Sequence, residues 1–264
     1  MSLDFSTVRA VIMDMDGVLW RGQQVLPGAP ELIAHLQTQE IPFVLATNNS
    51  SRHPLDYVER VASLGLGDIE PWQIVTSGTA TASYLQTRYP QGTRLYIVGM
   101  DGLQQVITEA GYVVADHDVR AVVVGLDRTF TYDKAAHATH LIRNGADFIG
   151  TNGDLTFPTA EGLVPGAGSL LAMLEAATDV RPRIIGKPHG VMFEAALRLL
   201  ATPAAKTLMI GDRLNTDIEG AQQLGLQTAF ILTGVHQRHD IIAYKIQPDI
   251  VYETLVGLLR DWQA

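Results

Sequence analysis

The sequence predicts an α/β protein: a parallel sheet domain interrupted by a smaller α/β insertion. Three observations carry this reading. Short apolar runs alternate with helix-period segments along nearly the whole chain, the pattern of parallel strands joined by right-handed crossovers. Two breaker clusters, Tyr89-Pro90-Gln91-Gly92 and Arg181-Pro182, divide the series. Acidic, hydroxyl and basic residues recur directly behind apolar runs, where open α/β sheets bind their ligands.

Taken in order, residues 8–13 are predicted as a strand, 29–38 as a helix, 41–46 as a strand, 54–63 as a helix, 73–76 as a short strand and 78–88 as a helix. A second series follows, with strands at 95–98, 119–124 and 147–151 and helices near 102–110 and 132–144. The polar, Gly- and Pro-bearing stretch 151–168 has little periodicity and is expected to be a long loop, a kind of segment that is usually functional or disordered. A helix at 168–177 precedes the final series: strand 183–185, helix 191–200, strand 207–210, helix 216–224, strand 227–232, an apolar pair at Ile250-Val251 and helix 252–262. The expected division is 1–88 with 183–264 as the sheet domain and 89–182 as the insertion.

With 264 residues and 47% hydrophobic content, the chain can bury the core of one large domain or two ordinary ones. A net charge of −9 without any Lys/Arg run argues against nucleic acid or an anionic membrane as partner. There is no cysteine, which excludes disulfides, thiolate metal sites and cysteine nucleophiles. No apolar stretch approaches the ~20 residues that span a bilayer. The opening residues lack a basic segment followed by an apolar one, so a cytoplasmic protein is expected.

Asp14-Met15-Asp16-Gly17-Val18 follows the first apolar run. Strand alternation sends Asp14 and Asp16 to one side and Met15 to the other. Adjacent acids repel and raise one pKa unless a cation sits between them. Thr47-Asn48-Asn49-Ser50 follows the second run and suits phosphate oxygens, though taken alone it reads first as a helix N-cap. Lys187, between Gly186 and Pro188, could neutralise an anion or lie solvated at the surface. Gly211-Asp212-Arg213-Leu214-Asn215-Thr216-Asp217 puts a further acid at a strand end and another five residues on, which could instead favour the helix N-terminus. Each signal alone is ambiguous. Together, at the strand ends of one predicted sheet, they supply what metal-assisted phosphoryl transfer needs: oxygen ligands for a hard cation, donors for the phosphoryl oxygens and a carboxylate nucleophile.

These four motifs resemble, in order and spacing, those of the haloacid dehalogenase superfamily, and the insertion matches the branch with an α/β cap between the second and third motifs. Gly17-Val18-Leu19-Trp20-Arg21-Gly22, Thr47-Asn48-Asn49-Ser50-Ser51-Arg52, Pro165-Gly166-Ala167-Gly168-Ser169 and Gly186-Lys187-Pro188 resemble the 4-nitrophenylphosphatase-like subfamily. The resemblance implies a Rossmann-like core and a Mg²⁺-dependent phosphatase acting on small phosphorylated metabolites, with 4-nitrophenyl phosphate cleaved in vitro. Phosphoglycolate, pyridoxal phosphate, sugar, glycerol and nucleotide phosphates are the candidate substrates. It implies Asp14 as nucleophile, Asp16 as general acid and base, and Thr47, Asn48 and Lys187 on the phosphoryl oxygens. Mg²⁺ would be held by Asp14, the Asp16 carbonyl and Asp212, with Asp217 acting through water. The cap segment 152–159 would reach over the leaving group, where Phe157 or Leu155 could offer an apolar surface or simply be core. A homodimer through the cap is one assembly state this leaves open.

Two other classes stand beside this: a phosphoacceptor regulatory domain, which also uses acids, a hydroxyl residue and a lysine at strand ends, and a sugar- or nucleotide-binding protein that has lost catalysis. A phosphoacceptor regulatory domain would not need the insertion, and a non-catalytic phosphometabolite-binding protein would not need the intact acids. A dinucleotide-binding oxidoreductase is disfavoured, because acids and not a Gly-rich turn follow the first strand.

Overall fold

The computed structural model describes residues 3–159 and 162–264. The chain forms two units. One comprises 1–47, 54–75 and 187–264, and the other 48–53 and 76–186.

The first unit is built on six strands in the order Ile250–Tyr252, Gln227–Ile231, Thr207–Gly211, Ala10–Asp14, Phe43–Thr47, Ile74–Thr76. The pairings from Ile250–Tyr252 through to Phe43–Thr47 are parallel. Met13 aligns with Ile210 on one side and Leu45 on the other, and Asp14 aligns with Ala46. Strands Phe43–Thr47 and Thr207–Gly211 are buried throughout, and Ala10–Asp14 is buried up to its final residue. Continuous apolar runs are what a strand covered on both faces requires. From Ala10–Asp14 the chain moves outward one way through Phe43–Thr47 to Ile74–Thr76, then returns on the opposite side through Thr207–Gly211. Strand order therefore reverses between Ala10–Asp14 and Thr207–Gly211, the switch point where such sheets open a crevice.

Alternation divides the central strands between two faces. Val11, Met13, Leu45, Leu208 and Ile210 belong to one core with Leu32, Ile33 and Leu36 of helix Ala29–Thr38, Tyr57 and Val61 of helix Pro54–Ser63, and Leu255 and Leu258 of helix Leu255–Trp262. The helical residues recur at spacings of three and four, the stripe a sheet-covering helix needs. Each Leu or Ile buried there stabilises the fold by about 1.5–3 kcal/mol. Helix Gly190–Leu200 buries Met192, Phe193, Ala195 and Ala196.

The second unit carries a parallel five-stranded sheet in the order Arg183–Ile184, Asp147–Gly150, Ala121–Val124, Arg94–Val98, Val113–Val114. Val98, Val122, Val124 and Phe148 pack with Ala138 and Ile142 of helix Tyr132–Arg143 and with Leu171 and Leu174 of helix Ala167–Thr178. Helix Ser77–Gln86 packs on helix Asp101–Glu109, so residues 77–86, assigned by the sequence pattern to the sheet domain, cluster with the second unit.

The segment expected to be a long loop contains a hairpin. Strands Thr156–Thr159 and Gly162–Pro165 pair antiparallel, with Phe157 opposite Val164. The strands are short and pair only with each other, and Leu155 and Leu163 are exposed beside them. An isolated ribbon of this kind has no buried face to impose a period-two pattern. No helix of the described residues is long and apolar enough to cross a membrane.

Candidate active site

Three carboxylates converge where the strand order of the first sheet reverses. Asp14 ends the central strand Ala10–Asp14, Asp212 directly follows Thr207–Gly211, and Asp217 lies in the π-helical turn Leu214–Ile218. One ligand oxygen from each lies within 4.8 Å of the others. Asp212 and Asp217 are fully buried.

Lys187 is the cation among them. Its Nζ lies 2.5 Å from Asp14 Oδ1 and 2.7 Å from Asp217 Oδ1, and it donates to the Ala46 carbonyl at 3.2 Å. The sequence pattern puts this lysine behind a strand of the same sheet as the acids. The preceding strand, Arg183–Ile184, instead pairs with Asp147–Gly150 in the second unit's sheet. Lys187 therefore reaches the acids from the segment leading into helix Gly190–Leu200. A run of two paired residues is too short to reveal which sheet it joins.

Backbone donors hold the other acids. Val235 N–H donates to Asp212 Oδ2 at 2.6 Å, and Arg213 N–H donates to Asp217 Oδ2 at 3.1 Å. Asp212 Oδ1 is buried with no hydrogen-bond donor among the described residues. Burial, and then the neighbouring Asp217, push the Asp212 carboxyl up to about 7. Burial likewise raises Asp14 well above the ordinary carboxylate range, opposed by Lys187 and reinforced by Asp217 and Asp212. Burial would lower Lys187, but attraction to Asp14 and Asp217 outweighs it and raises the ammonium pKa.

These facts fit a hard divalent cation. With all three carboxylates ionised, one ammonium would leave two negative charges among side chains largely withdrawn from solvent. An orphaned carboxylate oxygen points to a missing positive partner. An all-oxygen donor set suits Mg²⁺, which is held by few carboxylates and keeps several waters.

Two glycines make room for the arrangement. Gly17 has φ +90°, and a Cβ there would lie 2.5 Å from Asp212 Oδ2 and 2.9 Å from the Gly234 Cα. A Cβ on Gly234 would collide with the Asp212 carboxylate.

Beyond the strand end at Asp14, Met15 is fully buried and Asp16 exposed. The Asp16 side chain is not part of the acidic trio; its Oδ1 accepts the Trp20 indole N–H at 2.9 Å. Thr47 closes Phe43–Thr47 and is buried. The following helix begins at Pro54, so Thr47-Asn48-Asn49-Ser50 is not its N-cap. Asn48 is tied within the second unit: Nδ2 donates to Asp154 Oδ2 at 3.2 Å, and its carbonyl accepts from Asn152 Nδ2 at 2.7 Å and Ser77 Oγ at 2.5 Å. Phe157 is half-buried on its hairpin.

The segment Thr233-Gly234-Val235-His236 contacts Asp212 and Gly17 directly, a placement that the sequence motifs do not reveal. Thr233 Oγ1 donates to the Gly17 carbonyl at 2.6 Å, and His236 N–H donates to the Asp212 carbonyl at 3.2 Å. His236 Nδ1 accepts the Leu214 N–H at 3.0 Å, and burial lowers its pKa, which favours the neutral ring that can accept. The available signal is position: a Thr-Gly pair two residues past strand Gln227–Ile231.

Comparison with known proteins agrees with this geometry. The haloacid dehalogenase-like hydrolase model matches residues 11–113, and a second model of that group matches residues 184–258. Dihydroxyacetone phosphatase of Corynebacterium glutamicum is 37% identical over 251 residues, covering 95% of this chain and 90% of its own. The 5′-nucleotidase YutF of Bacillus subtilis is 38% identical over 232 residues, covering 88% and 90%. The crystal structure of 4-nitrophenylphosphatase from Thermotoga maritima superposes with a TM-score of 0.92 at 32% identity over 98% of both chains. Asp14, Asp212 and Asp217 correspond to the Mg²⁺-binding acids of this group. The chain belongs to the haloacid dehalogenase-like hydrolases and is closely related to their 4-nitrophenylphosphatase branch.

Proposed function

We propose that the protein hydrolyses small phosphate monoesters through an aspartyl-phosphate formed on Asp14. The observation that carries this reading is the division of labour between Asp14 and Asp16. Asp14 stands in the buried acidic trio with its Oδ1 held by Lys187, while Asp16, two residues on, is exposed and outside the trio. That difference supports a reading in which Asp14 attacks and Asp16 exchanges protons with a leaving group and with water.

Asp14 attacks phosphorus as the carboxylate. Asp14, the Asp16 carbonyl and Asp212 would hold Mg²⁺, with Asp217 acting through water, and the ion would supply positive charge that keeps the Asp14 carboxylate ionised beside the incoming phosphate. As the ester P–O bond breaks, its electron pair stays on the leaving oxygen and Asp16 protonates that oxygen. Water then attacks phosphorus, Asp16 takes its proton, and the Asp14 carboxylate is restored as phosphate leaves. Lys187, the Thr47 hydroxyl and the Asn48 N–H stabilise the charge on the transferring oxygens.

The named relatives act on dihydroxyacetone phosphate, a nucleotide and a nitrophenyl ester. Such variety supports leaving-group selection by the inserted segment. Phe157, half-buried on the cap hairpin beside exposed Leu155, is the proposed leaving-group contact. The test is phosphate release from phosphoglycolate, pyridoxal phosphate, glycerol phosphate, sugar phosphates and nucleoside monophosphates, each with and without Mg²⁺. Mg²⁺-dependent turnover of at least one is expected. Failure on all of them and on 4-nitrophenyl phosphate would contradict the reading.

A further inference from the structure

We propose that Trp20 is the positioning residue of the acid step: its buried indole fixes Asp16 Oδ1 and leaves Asp16 Oδ2 as the oxygen that carries the proton. The inference rests on the reading of Asp16 as general acid.

The segment from Met15 to Trp20 folds back on itself. The Met15 carbonyl accepts the N–H groups of Leu19 at 2.9 Å and of Val18 and Trp20 at 3.3 Å, and Gly17 N–H donates to the Trp20 carbonyl at 2.7 Å. This closure brings Trp20 Nε1 to Asp16 Oδ1 at 2.9 Å. Trp20 itself is immobilised. It is fully buried and pairs with Val25 in the ribbon Trp20–Arg21/Gln24–Val25. The Arg60 guanidinium lies 4.8 Å over its ring while donating to the Gly22 carbonyl at 2.5 Å. An exposed aspartate would otherwise sample several rotamers in solvent. Here a rigid donor selects one.

The bond also distinguishes the two oxygens. An indole N–H can only donate, so Oδ1 must remain an acceptor whether Asp16 is charged or neutral. In the neutral acid the carbonyl oxygen is a better acceptor than the hydroxyl oxygen, so the indole bond favours the proton on Oδ2. From there it passes to the ester oxygen as the P–O bond breaks and the bonding electron pair stays with that oxygen. The carboxylate left behind later takes a proton from the attacking water. Losing the indole bond should slow reactions whose leaving oxygen needs that proton. An alkoxide needs it; nitrophenolate departs as the anion.

The test compares kcat/KM, which reports the first phosphoryl transfer, for glycerol phosphate and for 4-nitrophenyl phosphate. The enzymes are wild type, Trp20→Phe, Asp16→Asn, and a protein with benzothienylalanine at position 20, which keeps the bicyclic shape and replaces the N–H by sulfur. The alkyl-to-aryl ratio is expected to fall at least about tenfold in both position-20 enzymes and by ~100-fold or more in Asp16→Asn. A ratio unchanged by benzothienylalanine but lowered by Asp16→Asn overturns the role of Trp20 and leaves that of Asp16 standing. A ratio unchanged in Asp16→Asn overturns the acid role of Asp16 and this inference with it. Should Trp20→Phe fail to fold, the near-isosteric benzothienylalanine protein decides alone.

Discussion

Lys187 Nζ sits 2.5 Å from Asp14 Oδ1, joining residues 173 positions apart. Both side chains are largely withdrawn from solvent, Lys187 at 3% exposure and Asp14 at 13%. The same ammonium reaches Asp217 Oδ1 at 2.7 Å, so one cation ties the end of the central strand to the π-helical turn.

Removing that cation should strand buried charge. Lys187→Met at pH 8 without metal is expected to lower unfolding stability by about 3–5 kcal/mol, the usual cost of breaking a buried pair. Mg²⁺ should recover part of this loss. Denaturant unfolding with and without Mg²⁺ checks both effects, and unchanged stability would contradict the tie.

The raised acids make the response to metal depend on pH. Asp212 moves from an ordinary 3.8 to about 7 on folding, and Asp14 also moves upward. A carboxyl raised in this way stabilises the fold fully below its ordinary value, and that stability is lost as pH rises through the folded value. Metal-free protein should therefore lose on the order of a few kcal/mol between about pH 4 and pH 7 from Asp212, with Asp14 acting in the same direction. Mg²⁺ binds the ionised forms, so the rise in Tm it produces should grow over the same range. Thermal melts at several pH values, in Mg²⁺ or in chelator, measure that rise. An increment independent of pH would place the raised carboxyls elsewhere.

Gly234→Ala should displace the Asp212 carboxylate, because the new Cβ has nowhere else to go. Mg²⁺ affinity measured by calorimetry is expected to fall at least about tenfold, roughly 1.4 kcal/mol or more. Backbone strain adds nothing to this loss, since Gly234 has no positive φ; it comes from the clash with Asp212. Wild-type Mg²⁺ affinity would show that the loop does not brace Asp212.

Much of this site is legible in the amino-acid sequence. Asp14, Thr47 and Asp212 follow buried, continuously apolar strands, and strand ends at a reversal of order are where a parallel sheet presents its ligand groups. Asp217 is harder to place, since an acid early in a helix also serves the helix N-terminus. The brace on Asp212 is not legible, because Val235 contributes a backbone N–H that any residue would supply. Trp20 enters the sequence reading only as a member of the motif Gly17-Val18-Leu19-Trp20-Arg21-Gly22; the closure of residues 15–20 is what brings its N–H to Asp16. The hairpin at Thr156–Thr159 and Gly162–Pro165 escapes a pattern reading because its strands pair with each other alone. Helix Ser77–Gln86 goes to the other unit because contact with Asp101–Glu109, not local pattern, decides where it belongs.

The most direct test of the central claim is to trap the intermediate on Asp14. Enzyme turning over 4-nitrophenyl phosphate with Mg²⁺ is quenched in acid, reduced with borohydride and digested for mass spectrometry. An acyl phosphate at Asp14 is reduced to homoserine, so the peptide spanning residues 10–21 should carry homoserine at position 14, and Asp14→Asn should show neither the conversion nor turnover. Homoserine at another aspartate, or full turnover in Asp14→Asn, would contradict the account.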